Sequence, residues 1–483
     1  MGCWTLREVS LLVADRLSPL DVSFLYFEEA TTPMHVGGVA VFQAPADGFD
    51  YERLLHLIKE RIPFVPRYRQ RIRWVPGRLA NPVWVDDEHF DIAYHVRRAV
   101  LPKPGNDDQL HEFVARVQSR QLDRDRPLWE MYLVEGLSKK RFAVITKTHH
   151  AMVDGLGAVD IAQVILDTTR DVDDMAPPGA STDSAAGWHP APEPSWVELM
   201  AGAVADNVRR PSAVVDAVRA GLTDVRSTAG RVAGAAGGLL AAGLTAARPA
   251  PVSPLNVPIG EHRRYATVDS DLDDYRRIRK AHGGTVNDVV LACVAGALRA
   301  WLLTRGENVT PYSTVRVMVP VSVRGSEEKG VPGNRVASYL VDLPVGEPSP
   351  VMRLHQVSYR MKAHKETGQA VGAEALAGLA GFAPPTMHAL GARVASSMSK
   401  RWFNLVVTNV PGPQQPLYAG GARMLAAYPV VPLAKAQAVS IGLTSYDGGV
   451  YYGLNADREA MPDVEVLAAC ITDALAELLA TVR

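Results

Sequence analysis

Cysteine is scarce in this chain: Cys3, Cys293 and Cys470 stand far apart among 483 residues. That spacing excludes a disulfide framework and the paired thiols of a zinc module, and it fits a reducing compartment. An excess of charge is also missing. The 51 Lys and Arg balance 52 Asp and Glu, a formal net charge of −1, which gives no electrostatic reason to expect nucleic acid as a partner. Long hydrophobic runs are absent too. The longest weakly apolar stretch, Val232 to Ala247, is mostly Ala and Gly and falls short of the ~20 residues a spanning helix needs. The opening segment has Arg7 and Glu8 before a very short apolar run, Leu11 to Ala14, so neither a signal peptide nor a transmembrane helix is expected. Leu6 stands where a myristoylation signal needs Ser or Thr. No serine has the Gly-x-Ser-x-Gly frame, and neither a phosphate-binding Gly-Lys loop nor a dinucleotide glycine fingerprint occurs. Acyl-enzyme, nucleotide and redox chemistry lose ground together.

What is present is ordinary in bulk: 47% hydrophobic and 21% charged residues, in a chain longer than one core usually supports. The expectation is two α/β domains with partly antiparallel sheets, residues 1–171 and 253–483, joined by a segment at 172–252. In the first, "DYERLLHLIKERI" predicts a helix with Leu54, Leu55 and Ile58 on its apolar face. "RYRQRIRWV" puts Arg67, Arg69, Arg71 and Arg73 at alternate positions, one face of a strand. That face is either a solvated edge or a site for coenzyme phosphates. The joining segment begins Pro-, Ala-, Asp- and Ser-rich, as a mobile linker does. It continues as Ala/Val/Leu helices punctuated by Arg209, Arg210, Arg219, Arg226, Arg231 and Arg248. Such helices either pack as a crossover or lie on an anionic lipid surface. In the second domain, "TVNDVVLACVAGALRAWLLTRGE" predicts a helix presenting Val289, Cys293, Ala297 and Trp301, ended by Gly306. Val315, Val317, Val319, Val321 and Val323 alternate on a strand. "AVSIGLTSYDGGVYYGLNAD" predicts a hairpin turning at Asp447-Gly448. The closing helix is expected to bury Val466, Cys470, Ala474 and Leu478.

The chemistry concentrates in "TKTHHAMVDGLGAVD", Thr146 to Asp160, at the end of the strand candidate "RFAVITKTHH" and the loop entering a helix over "LGAVDIAQVILDTT". Adjacent strand residues point to opposite faces, so His149 and His150 are ill placed to share a metal ion. A histidine acting as general base remains: a neutral imidazole takes the proton of an alcohol as the oxygen attacks an activated carbonyl such as a thioester. Asp154 would order the loop through a charge-assisted hydrogen bond, and Gly155 would let backbone approach closely. On the residues alone, two satisfied core histidines remain the competing account.

"HHAMVDG" resembles the His-His-x-x-x-Asp-Gly motif of the CoA-dependent acyltransferases. "LSPLDVSFLYFE", "LDRDRPLWEMYLVEGL", "GGTVNDVVLACV", "GNRVASYLVDLPV" and "VTNVPGP" follow the order seen in bacterial wax ester synthase/acyl-CoA:diacylglycerol acyltransferases. The resemblance covers nearly the whole chain, least around Asp171 to Val252. It implies an α/β fold of two chloramphenicol-acetyltransferase-like domains with mixed sheets and a tunnel at their interface. It implies His150 as the base, His149 in support and Asp154 holding the loop. Asn287 and Asp288 would border the tunnel, Asn287 serving the oxyanion or substrate or else capping its helix. Asp21 and Pro127-Leu128-Trp129 match motifs of structural character. The implied reaction moves a long-chain acyl group from acyl-CoA, a co-substrate rather than a resident cofactor, to diacylglycerol or a fatty alcohol, with no acyl-enzyme. Another lipid alcohol as acceptor, or a non-catalytic lipid-droplet protein, are the alternatives. Such a protein is expected in the cytoplasm, attached peripherally to membrane or lipid bodies.

Overall fold

A computed structural model describes residues 15–152, 165–170, 188–209, 249–322, 336–367, 371–372 and 402–482. The first helix, α1 (Pro19–Phe27), starts on a reciprocal cap: Ser18 Oγ accepts the Asp21 N–H at 3.1 Å, and Asp21 accepts the Ser18 N–H at 3.2 Å. Asp21 is therefore structural. After β1 (His35–Gln43), α2 (Tyr51–Arg61) buries Leu54, Leu55 and Ile58 as its periodicity predicts. A small ribbon pairs β2 (Gln70–Arg73) with β3 (Val83–Asp86). The short α3 (Ile92–His95) leads into β4 (Val96–Val100). Then come α4 (Asp107–Ser119), β5 (Trp129–Leu137) and β6 (Arg141–His149).

The arginine ladder does not form one strand face. Arg67 and Arg69 lie in a 3₁₀ turn before β2, because Pro66 suits the first position of a helical turn. Arg67 pairs with Asp15 and sits over Trp84, Arg69 sits over Trp188, and Arg71 and Arg73 both meet Glu193. The described end of the Pro-rich segment is thus strapped onto the first domain through Arg69, Arg71 and Arg73, while Arg67 is held by Asp15 and Trp84 of that domain itself. Helix α5 (Trp196–Arg209) follows; the remaining Arg/Ala stretch, 210–248, lies outside the described residues.

The second half opens with β7 (Arg263–Asp271), α6 (Leu272–His282) and α7 (Val286–Thr304). Next are β8 (Val315–Ser322), β9 (Val336–Leu343), α8 (Pro350–Thr367), β10 (Val371–Gly372) and β11 (Leu405–Pro411). The chain continues through β12 (Tyr418–Ala419), β13 (Ala422–Val430), β14 (Val439–Tyr446), β15 (Gly449–Asp457) and α9 (Val464–Leu479). Val289, Cys293, Ala297 and Trp301 of α7 are all buried in the larger core. Among the described residues, α7 is the one helix long and apolar enough to cross a membrane, and it is this buried core helix. On α9 Cys470, Ala474 and Leu478 are buried as expected, together with Val464, Leu467, Ile471 and Leu475, whereas Val466 is 42% exposed. The expected stripe was offset by one residue at its start, a shift of about 100° around a helix. The β14–β15 hairpin turns at Asp447 and Gly448, both at positive φ, as a two-residue turn of the twist-matching type requires.

Two mixed sheets carry the fold. The six-stranded one runs β12-β13-β1-β6-β5-β4 and the seven-stranded one β10-β9-β8-β11-β14-β15-β7. Residues 418–430 thus belong by sequence to the second half but pair in the first half's sheet, β13 lying antiparallel to β1. A boundary at residue 253 divides the chain, not the sheets. Gly453 of β15 marks the seam: a Cβ there would come within 2.0 Å of the Pro429 carbonyl oxygen, so only glycine permits so close an approach of β15 to β13.

Candidate active site

β6 is sandwiched between β1 and β5, both antiparallel to it, with His35 opposite His149 and Trp129 opposite Thr148. Strand alternation turns His149 inward, where it is fully buried, beside Lys147 on the same face. The chain then leaves the sheet in a 3₁₀ turn over His150–Met152, and His150 is half-buried. Two carbonyls hold this exit: the His149 N–H donates to Leu128 at 2.9 Å and the His150 N–H to Met34 at 2.8 Å. The Leu128 carbonyl is itself steadied by Trp129, whose indole N–H donates to the Tyr68 carbonyl at 2.8 Å and whose ring stacks on His95 at 4.7 Å. That assigns the Pro-Leu-Trp motif a supporting role. The His150 ring stacks on Phe24 of α1, centroids 4.0 Å apart and 20° from parallel, which limits the rotation of the imidazole.

Behind His150 is a buried ionic cluster that local sequence reading did not find. The Ala151 N–H donates to His149 Nδ1 at 3.0 Å, so a neutral His149 carries its proton on Nε2. That nitrogen faces Glu28 Oε2 at 3.6 Å. The other oxygen, Oε1, is 3.1 Å from His35 Nε2 and accepts the Met34 N–H at 3.3 Å. Arg124 closes the cluster, donating to Oε2 from Nε at 3.0 Å. The Glu28 side chain is 1% exposed. Burial alone would raise its carboxyl, but the facing imidazoles of His149 and His35 outweigh that and hold it well below the usual carboxylate range. His35 is pushed down to about 4, chiefly by burial, so it is neutral at pH 7. Lys147 is lowered to about 8, again by burial first; its ammonium donates to the Val117 and Arg120 carbonyls at the end of α4. His35 thus adds a third imidazole beside the pair, brought by the register of β1. The only local hint was a carboxylate and a histidine flanking the short turn "EATTPM", closed by the Glu29–Thr32 bridge.

The remaining site candidates fall elsewhere. Asp154 and Gly155, and residues 156–164 of the helix expected over 156–169, lie outside the described residues, whereas residues 165–169 are not helical: they form a turn and bends in which Asp167 bridges to Tyr418. Asn287 and Asp288 open α7 in the second half. Asp288 is 4% exposed and spent on structure: it accepts the Thr285 N–H at 2.8 Å, completing a capping box, and the Ser358 hydroxyl at 3.2 Å. Asn287 is partly exposed, and its Oδ1 accepts from Asn409 Nδ2 at 3.1 Å, which turns its own N–H donors away from that contact. The hydrogen bonds of both residues stay within the second half. Chemically, then, the arrangement offers one half-buried imidazole at a strand end, backed by the buried His149, the neutral His35 and the ionised Glu28 carboxylate.

Residues 17–290 match the family described as the wax ester synthase/diacylglycerol acyltransferase catalytic domain, and residues 332–479 match the WS/DGAT C-terminal domain. Over 468 residues the chain is 34% identical to a probable diacylglycerol O-acyltransferase, tgs1, of Mycobacterium tuberculosis, covering 96% of each chain. The solved wax ester synthase/diacylglycerol acyltransferase from Marinobacter aquaeolei VT8 aligns with a TM-score of 0.67 at 29% identity, over 96% of this chain and 98% of that one. A starter condensation domain of rhizomide synthetase, solved with C8-CoA, shares the fold at 14% identity and a TM-score of 0.55, over 97% of this chain and 94% of that one.

Proposed function

The chain belongs to the wax ester synthase/diacylglycerol acyltransferase family, and from that premise we propose that it esterifies diacylglycerol with a long-chain acyl group from acyl-CoA, His150 being the general base. In this reading the neutral imidazole takes the acceptor's hydroxyl proton while the oxygen attacks the thioester carbonyl. The tetrahedral intermediate then expels the CoA sulfur, which receives that proton from His150. No acyl-enzyme forms, and the imidazole returns to its starting state. The observation that carries the proposal is the contrast within the motif. His149 is sealed in the core, while His150 stands half-buried at the strand end with its ring braced on Phe24. Asp154 holds the loop, and Gly155 lets its backbone come close to substrate. Asn287, steadied by Asn409, supplies a polar donor to the bound substrate. Fatty alcohols are a second acceptor class, giving wax esters. Because reactants and product are insoluble, the enzyme works attached peripherally to membrane or lipid bodies, in a passage between the halves.

The test is triacylglycerol formation by purified protein from long-chain acyl-CoA and diacylglycerol. His150→Ala should lower kcat by about 10²–10⁴-fold, roughly 3–5 kcal/mol of barrier. Undiminished ester formation by that variant would remove His150 from the role.

A further inference from the structure

A cleft of about 960 Å³ lies where α4 of the first half packs along β7 of the second. Two side-chain bonds set its ends. Ser119 Oγ accepts the Arg263 N–H at 3.1 Å at one end, and Thr267 Oγ1 meets His111 Nε2 at 3.1 Å toward the other. Five arginines and four carboxylates line it, but they are not mixed evenly. Asp108 opens α4 and Arg120 follows its end, about 18 Å apart at the helical rise. Glu112 and Glu465 are taken by the cleft's own Arg116 and Arg264, at 3.7 and 3.1 Å. The Ser119 end gathers Arg120, His262, Arg263 and Arg458, with Glu261 as the carboxylate on its lining and Asp457 beneath it. Arg263 is buried and committed to Asp457. Arg120 and Arg458 are exposed and have no ion pair among the described residues.

This basic end abuts the cluster behind His150. Gln121 lines the cleft, and the N–H of the next residue, Leu122, is 3.4 Å from His35 Nε2. Arg263 also reaches across the seam to donate to the Thr31 carbonyl. Two carbonyls at the end of α4 that would repel an anion here, those of Val117 and Arg120, are covered by the Lys147 ammonium. A polar, arginine-bearing cleft is a poor place for an acyl chain or a diacylglycerol, whose transfer from an apolar setting it would not reward. The acyl donor alone among the reactants carries a compact polyanion, and guanidiniums bind phosphates through paired, charge-assisted hydrogen bonds.

We propose that the Ser119 end of this cleft seats the phosphates of the acyl-CoA nucleotide, with Arg120 and Arg458 as the contacts, so that the thioester enters from the α4–β7 side. The assignment rests on the acyl-CoA reading above. Its test titrates the full-length protein with CoA, 3′-dephospho-CoA and pantetheine, and measures KM and kcat with acyl-CoA and with an acyl-pantetheine thioester. Arg120→Glu and Arg458→Glu, both at exposed positions, should weaken CoA about tenfold to a hundredfold and raise the acyl-CoA KM alike. Pantetheine binding, acyl-pantetheine turnover and the melting temperature should stay as in wild type. CoA affinity unchanged in both variants would overturn the assignment while leaving acyl transfer standing. Equal losses on CoA and pantetheine would overturn it as well. Wild-type protein that binds CoA through these arginines but forms no ester would instead overturn the functional reading and keep the site.

Discussion

Glu28→Gln is the substitution that bears most directly on how the base is held. It keeps the shape of the side chain and removes the charge. The two oxygens of Glu28 together meet the Met34 N–H, His35 Nε2, Arg124 and His149 Nε2. An amide has one oxygen, so whichever way it turns, its NH₂ confronts donors on one edge. On the Oε1 edge two buried bonds are lost, each worth about 1.5–3 kcal/mol where the acceptor is ionised. On the Oε2 edge Arg124 is 41% exposed, and solvent screening reduces its share to about 1 kcal/mol or less. The amide therefore turns its nitrogen toward Arg124 and His149, and the expected cost is about 2–3 kcal/mol rather than the full penalty of a broken buried pair. His149 then loses the acceptor facing its Nε2, and the turn that presents His150 loosens. A small displacement of a base costs about 10–10² in rate, so kcat should fall by that factor with KM nearly unchanged. Denaturant unfolding at pH 7 and initial rates of ester formation measure both. The folded Glu28 is shifted below its ordinary value of 4.5. Its stabilisation is thus complete above that pH and is lost as pH falls through the folded value, so the variant's stability should vary less with acid. A Glu28→Gln protein within about 0.5 kcal/mol of wild type and with full kcat would show that the cluster does not hold the base.

Two further perturbations probe the same frame. His35 falls from 6.5 to about 4 on folding, so between those values the unfolded chain binds a proton that the folded one refuses. Stability should drop by about 3 kcal/mol as pH goes from 6.5 to 4, and His35→Gln should flatten that slope in a pH series of melts. Gly37 lies two residues from His35 on β1, where an added Cβ would meet the Thr146 carbonyl oxygen and Gln118 Nε2, each at 2.5 Å. Gly37→Ala should cost about 1–3 kcal/mol by forcing β1 from β6. A midpoint unchanged in denaturant would show that the strands can yield there.

Much of the fold was legible because its signals are local. The Leu54, Leu55 and Ile58 face of α2, the buried stripe of α7 and the Asp447-Gly448 hairpin follow from periodicities of 3.6 and 2 and from turn chemistry, which need no knowledge of distant residues. The placement of His149 and His150 at a strand end is of the same kind: alternation turns His149 inward, and the 3₁₀ turn that follows carries His150 off the sheet. The start of the α9 stripe escapes a local reading because a helix rich in Ala and Leu offers two overlapping apolar faces, and packing against α7 and the sheet selects between them.

What no local pattern carries is which distant residue ends up opposite. Glu28 and His35 join His149 through a turn and the β1–β6 register, across more than a hundred residues. Residues 418–430 cross to the other half's sheet because β1 presents an edge that β13 covers. The four arginines in and just before β2 find Asp15, Trp84, Trp188 and Glu193 only once the chain has folded back. A residue's own backbone preference decides whether it lies in a helix, strand or turn. The partner of a buried charge is decided by long-range pairing, where solvation and Coulomb energy depend on the whole assembled surroundings.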